Sequence, residues 1–190
     1  MRVAFLLSLL LATGLLQGCF PVVAAGVGAG AGTMMAQDRR NRDAFVDDSK
    51  IEFNAADLID KQIKSVMHVN VTSFNRNVLI SGEVPDESIK AEIGAIVSGI
   101  EKVREVNNEL AVSASSSFVS RSNDGLITSN LKLRFMNDNL FRSEHIKVVT
   151  ENGTVYLLGI VNHAEAEAAI ELASTTQGVQ RVVKMFEYLD

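Results

Sequence analysis

Ile146-Lys147-Val148-Val149-Thr150-Glu151-Asn152-Gly153-Thr154-Val155-Tyr156-Leu157-Leu158-Gly159-Ile160-Val161 carries apolar side chains at near-alternate positions on both sides of an Asn-Gly pair. Period-two hydrophobicity makes a strand on each side, and Asn152-Gly153 is the favoured two-residue hairpin turn. The same grammar occurs earlier, without a gap, in Val69-Asn70-Val71-Thr72-Ser73-Phe74-Asn75-Arg76-Asn77-Val78-Leu79-Ile80-Ser81-Gly82-Glu83-Val84. Val71 matches Val148, Asn75 matches Asn152, Val78 matches Val155, Gly82 matches Gly159 and Val84 matches Val161. Asn75-Arg76 is a weaker form of the same turn. The chain is therefore an internal repeat.

Each hairpin is followed by apolar residues at helical spacing: Ile89, Ile93, Ile96 and Val97 in the first copy, Ala166, Ala169, Ile170 and Ala173 in the second. Gly99-Ile100 with Val103, Val106 and Leu110 then pairs with Gly178-Val179, Val182, Met185 and Leu189. The second copy has two extra residues between these blocks, which suits a slightly longer helix. Val103 to Val112 and Arg181 to Leu189 give a third strand. A helix precedes each hairpin, over Ala55 to Val66 and roughly Asn123 to Asn137. The expected fold is α+β: two tandem α-β-β-α-β units, each a three-stranded sheet with two helices on one face.

The N-terminus is of a different kind. Arg2 is a positive start, and Val3 to Leu16 form an apolar run too short to span a bilayer. Gly18 is the small residue before Cys19, the only cysteine in the chain. The segment reads as a removable secretory signal. A lone cysteine in an oxidising compartment has no disulfide partner, which leaves either an incidental thiol or a lipid attachment point. Ala24 to Gly32, rich in Ala, Gly and Val, reads as a flexible tether. Gln37 to Arg42, with Arg39, Arg40 and Arg42, is either a solvated part of that tether or a contact with lipid head groups. Ser113 to Ser122 reads as an interdomain linker. The expected plan is residues 1–18 signal peptide, 19–53 lipidated N-terminus and tether, 54–112 first repeat, 113–122 linker and 123–190 second repeat.

A net charge of −5 gives no global basic field for nucleic acid. About 170 residues after the signal suffice for one ordinary domain or two small ones.

The layout resembles the BON domain (bacterial OsmY and nodulation), on Gly82 and Gly159 closing the second strands and on Gly99-Ile100 and Gly178-Val179 leading into the third. The ending Leu15-Leu16-Gln17-Gly18-Cys19 is similar to a bacterial lipoprotein signal. That resemblance implies an N-acyl, S-diacylglyceryl Cys19, an anchor of three chains, and no other cofactor. Phe20, where an aspartate would be an inner-membrane retention signal, implies transfer to the outer membrane. The family implies a non-enzymatic periplasmic protein that binds anionic phospholipid and supports envelope integrity alongside the outer-membrane protein assembly machinery.

No active site is legible. His68, His145 and His163 share no metal-ligand spacing and read as surface histidines, so no metal site is expected. Asp86, Glu87, Glu165 and Glu167 fall in first turns of helices, where they complement the dipole.

The helix over Asn123 to Asn137 has two apolar faces. With Leu126 at zero on a wheel of 100° per residue, Ile127, Leu131 and Phe135 fall at about 100–180° and form the core face. Leu126 and Leu133, at about 0° and 340°, form a second ridge flanked by Lys132 and Arg134. An apolar ridge between cations suits a helix lying on an anionic membrane. The other reading puts the ridge at the interdomain seam. The family resemblance implies lipid contact at this end of the second repeat, with an aromatic in related proteins where this chain has Leu126.

The sheets also differ. Leu79, Ser81 and Glu83 make the outward face of the first an ordinary wet one. Tyr156, Leu158 and Ile160, with Phe186 and Tyr188, make that of the second apolar, so the other repeat or a protein partner must cover it.

Overall fold

The computed structural model describes residues 38–64 and 68–189. Cys19 and the Ala24–Gly32 tether lie outside them. Helix α1 (Arg42–Gln62) leads into strands β1 (His68–Phe74) and β2 (Asn77–Val84), helix α2 (Glu87–Ser98) and the short strands β3 (Glu105–Asn108) and β4 (Ala111–Val112). Helix α3 (Phe118–Met136) opens the second copy, followed by β5 (Ile146–Glu151), β6 (Thr154–Val161), α4 (His163–Ser174) and β7 (Arg181–Tyr188). The α-β-β-α-β order thus occurs twice, with the third strand of the first copy broken in two. In each sheet the second strand is central: β2 pairs antiparallel with β1 and parallel with β3 and β4, and β6 does the same with β5 and β7. The parallel pairing needs a crossover, which α2 and α4 supply.

Both hairpin turns have two residues at positive φ: Asn75 (51°) and Arg76 (66°), then Asn152 (47°) and Gly153 (71°). That geometry matches strand twist, and it leaves the turn amides needing acceptors. A buried aspartate on the preceding helix supplies them. Asp48 of α1 accepts from the amides of Asn75 (2.8 Å) and Arg76 (2.7 Å), and Asp124 of α3 accepts from those of Asn152 and Gly153, both at 2.9 Å.

The helices of each repeat cover one sheet face. Ile51, Ala55 and Ile59 of α1 and Ile93 and Val97 of α2 pack on Val78, Ile80 and Val84. In the second copy Ile127, Leu131 and Phe135 of α3 meet Val155, Leu157 and Val161, as the wheel predicts.

The opposite faces of the two sheets meet each other. Phe74 and Leu79 of the first pack with Tyr156 and Leu158 of the second, joined by Val149, Ile160, Val183 and Met185. The outer face of the first sheet is therefore not wet: Leu79, Ser81 and Glu83 are all buried. Alternation hides what lies beyond a strand, so a mixed Leu-Ser-Glu face looked solvent-facing. The expected cover of Tyr156 and Leu158 by the other repeat holds, but Phe186 and Tyr188 do not share that face. Phe186 packs into the helix-side core, and Tyr188 stacks on His163 with ring centroids 4.3 Å apart. Around the seam Lys147 pairs with Glu52 at 2.8 Å, and Glu187 accepts from Asn75, Asn77 and Arg104.

Helix boundaries differ from the expected ones in a consistent way. α1 starts at Arg42, capped by Asn41, whose Oδ1 accepts from the Ala44 amide at 2.7 Å. Its first turns bury Asp47 and Asp48 while Phe45 and Val46 face outward, which inverts the usual periodicity. α3 starts inside the expected linker, with Ser117 as its cap. α2 and α4 are both 12 residues long, so the extra residues of the second copy lie in the turn after α4 rather than in a longer helix.

Arg39 and Arg40 are neither solvated tether nor head-group contacts. Arg39 pairs with Glu165, and Arg40 pairs with Asp38 and Asp48 with its guanidinium 4.3 Å from the Phe74 ring centroid. Arg42 is exposed at the start of α1.

Candidate membrane-contacting face

Helix α3 packs its Ile127–Leu131–Phe135 stripe inward, and the structure decides where its other face points. Leu126 and Leu133 are 64% and 57% exposed, so the ridge does not lie in the interdomain seam. The seam is made by the sheets, on the far side of β5–β7 from α3.

The ridge is longer than the sequence suggested. Because α3 begins at Phe118, Phe118 and Val119 join it at the N-terminal end and Met136 at the other, and all three are largely exposed. On the same wheel Phe118 and Met136 lie at about 280°, Leu133 at 340°, Leu126 at 0° and Val119 at 20°. They form a stripe about 100° wide along a helix of 19 residues. Phe118 and Val119 were missed because they follow a serine run. The signal that could have found them is Ser117 as an N-cap, whose Oγ accepts from the Ser120 amide at 3.1 Å.

The charges beside the stripe separate into two roles. Lys132 is exposed and, among the described residues, makes no hydrogen bond or ion pair, so its ammonium is available to an anion. Arg134 is engaged. Its guanidinium donates to the Leu172 carbonyl (2.6 Å) and to the hydroxyls of Thr176 (2.7 Å) and Thr175 (2.9 Å), closing the C-terminal end of α4. The sole carboxylate of α3, Asp124, is buried under the hairpin turn. The exposed surface of α3 therefore carries apolar and cationic groups and no negative charge.

The surface reading holds for His163, which is exposed, but not for His145. His145 is buried with Nδ1 3.9 Å from Glu165 Oε1, His163 stacks on Tyr188, and His68 stands near Glu151. No helix among the described residues is long and apolar enough to cross a membrane.

Comparison with known proteins agrees with this architecture. The BON domain family model matches residues 47–114 and 123–190. The chain belongs to the BON-domain family. It is 41% identical over 185 residues to the outer membrane lipoprotein DolP of Haemophilus influenzae, covering 96% of this chain and 94% of that one. Two further relatives are less similar. The 21 kDa hemolysin of Actinobacillus pleuropneumoniae is 32% identical, over 80% of this chain and 79% of its own. The osmotically-inducible protein Y of Escherichia coli is 30% identical, over 73% and 71%. As a BON protein the chain presents two mixed sheets locked face to face, with α3 of the second copy on the outside.

Proposed function

We propose that this chain is a lipid-anchored outer-membrane protein facing the periplasm, which lays α3 of its second BON domain on anionic phospholipid and so supports outer-membrane integrity. One observation carries the reading: Phe118, Val119, Leu126, Leu133 and Met136 are exposed in a single stripe on a helix whose only carboxylate is buried. Water penalises such a stripe by roughly 25 cal/mol per Å² of apolar surface, and the acyl boundary of a bilayer relieves it. Lys132 adds attraction to anionic head groups of about 1 kcal/mol at low salt. The similarity to an outer membrane lipoprotein supports the location, and acylation of Cys19 supplies the anchor. No enzymatic role is proposed.

Flotation of the chain from Met35 onward with vesicles containing phosphatidylglycerol tests the reading apart from the anchor. Binding is expected, and Leu126→Asp or Leu133→Asp should abolish it while circular dichroism stays unchanged. Binding that survives both changes would exclude α3 as the lipid face.

A second reading has one observation of its own. Phe53 and Val46 are exposed on α1, in the first repeat. If the anchor alone holds the membrane, this surface docks the protein on outer-membrane assembly factors.

A further inference from the structure

Two carboxylates face each other where the sheets meet. Glu83 of β2 and Glu151 of β5 come from different repeats, and both are more than nine-tenths buried. Among the described residues neither has a lysine or arginine within ion-pair distance. Glu83 accepts from the amide and hydroxyl of Ser116, both at 3.2 Å. Glu151 accepts from the side-chain Nδ2 of Asn70 at 3.1 Å. Neutral donors do not offset two buried negative charges, so the pair calls for a cation or a proton.

His68 completes a third side. It lies directly across the β1–β2 ladder from Glu83, and its Nε2 is 3.6 Å from Glu151 Oε1. One ligand atom from each of His68, Glu83 and Glu151 lies within 4.8 Å of the others. Gly82 makes this approach possible: a Cβ there would stand 2.0 Å from the His68 carbonyl oxygen, and its φ of 118° is one that side chains disfavour.

A separate observation points to a missing group. Ser81 is fully buried on the same face of β2, paired in register with Asn70, and its hydroxyl has no hydrogen-bond partner among the described residues. Beside the cluster is a cavity of about 320 Å³ lined by His68, Asn70, Arg121, Asp124, Thr128 and Glu151 among others, large enough for an ion's remaining waters; Arg121 is turned to the Ser116 carbonyl and pairs with neither glutamate.

We propose that His68, Glu83 and Glu151 form a binding site for a divalent transition-metal ion of the Zn²⁺ type, bridging the two repeats. One imidazole and two carboxylates are a nitrogen–oxygen donor set of that kind, and the imidazole selects against Mg²⁺ and Ca²⁺. Ligands about 2.0–2.2 Å from a tetrahedral ion stand about 3.3–3.6 Å apart, so side-chain rotations closing about 1 Å complete the site. Water from the cavity fills the fourth position. The ion neutralises the facing carboxylates and ties β1–β2 of one repeat to β5 of the other. This role is independent of lipid contact at α3.

The test uses the full chain in detergent micelles, freed of metal by a chelator and titrated with Zn²⁺ or Mg²⁺ in calorimetry and thermal melts. One equivalent of Zn²⁺ should bind saturably and raise the melting temperature by about 5–10 °C at roughly a hundredfold excess over Kd, with no response to Mg²⁺. His68→Gln and Glu151→Gln should each lose the saturable phase, whereas His163→Gln, on an exposed position of α4, should keep it. Without metal, Glu151→Gln should melt no lower than the parent, because it removes one of two facing charges; its loss of binding is then not a loss of fold. Absence of saturable Zn²⁺ binding, or binding retained in His68→Gln and Glu151→Gln, would overturn the site. Stabilisation of the metal-free parent by mild acid, with no Zn²⁺ response, would overturn it too and give the pair a shared proton.

Discussion

Arg39 grips Glu165 through both carboxylate oxygens, at 2.6 and 2.8 Å, across 126 residues of sequence. The same guanidinium donates to the Ile160 carbonyl at 2.9 Å. The segment before α1 is thereby fastened to β6 and α4 of the second repeat, and Glu165 also closes the capping box of α4 with Asn162.

That ion pair predicts an acid sensitivity. The Arg39 guanidinium, ahead of the Asn162 amide, holds the Glu165 carboxyl below its usual range. A lowered carboxylate stabilises the fold above the ordinary glutamate value, and the contribution is lost as pH falls through the lower folded value. Arg39→Ala should cost about 1–2 kcal/mol near neutrality and little below that window. Urea melts of both chains between neutral and strongly acidic pH check it; an unchanged difference at acid pH would refute the coupling.

The aspartate under each hairpin should matter more than its charge suggests. Asp124→Ala leaves the Asn152 and Gly153 amides without their acceptor and should destabilise the second repeat by about 1–3 kcal/mol. Asp124→Asn retains one acceptor oxygen and should cost less. Chemical denaturation followed at Tyr156 and Tyr188 orders the three chains.

The seam makes a prediction about motion. Leu158 is buried against the first sheet, so Leu158→Asp places a charge in an apolar contact while leaving the helix-side core of its own repeat intact. In the parent, NMR relaxation should report one tumbling time for residues 38–189; in the variant, two shorter ones. Independent tumbling in the parent would contradict the contact.

Lys132 and Arg134 should respond differently to charge reversal. Lys132→Glu should weaken vesicle binding by about 1 kcal/mol or more, chiefly at low salt, with no change in melting. Arg134→Glu should lower the melting temperature, because three donors leave the end of α4. Paired melting and flotation curves separate the two.

The repeat was readable from sequence because its signals are local. Alternation on both sides of Asn152-Gly153, and its echo around Asn75-Arg76, depend on backbone geometry within a few residues. The core face of α3 followed for the same reason, since Ile127, Leu131 and Phe135 share one side of any helix built from those residues. Where local and tertiary signals conflicted, the reading failed. Asp47 and Asp48 look like exposed positions, yet one binds Arg76 and the other a hairpin turn, so α1 appeared to begin thirteen residues late at Ala55 rather than Arg42.

Sequence by itself determined two α-β-β-α-β units, their hairpin registers and the apolar ridge at Leu126 and Leu133. Only the tertiary structure decided that the sheets stack face to face, which buries Leu79, Ser81 and Glu83 and leaves α3 outside. It alone brought His68, Glu83 and Glu151 together and engaged Arg134 at the end of α4. The physical reason is range. Turn and periodicity preferences act between neighbours in the chain, whereas burial and charge pairing act between surfaces that meet only after each repeat has folded.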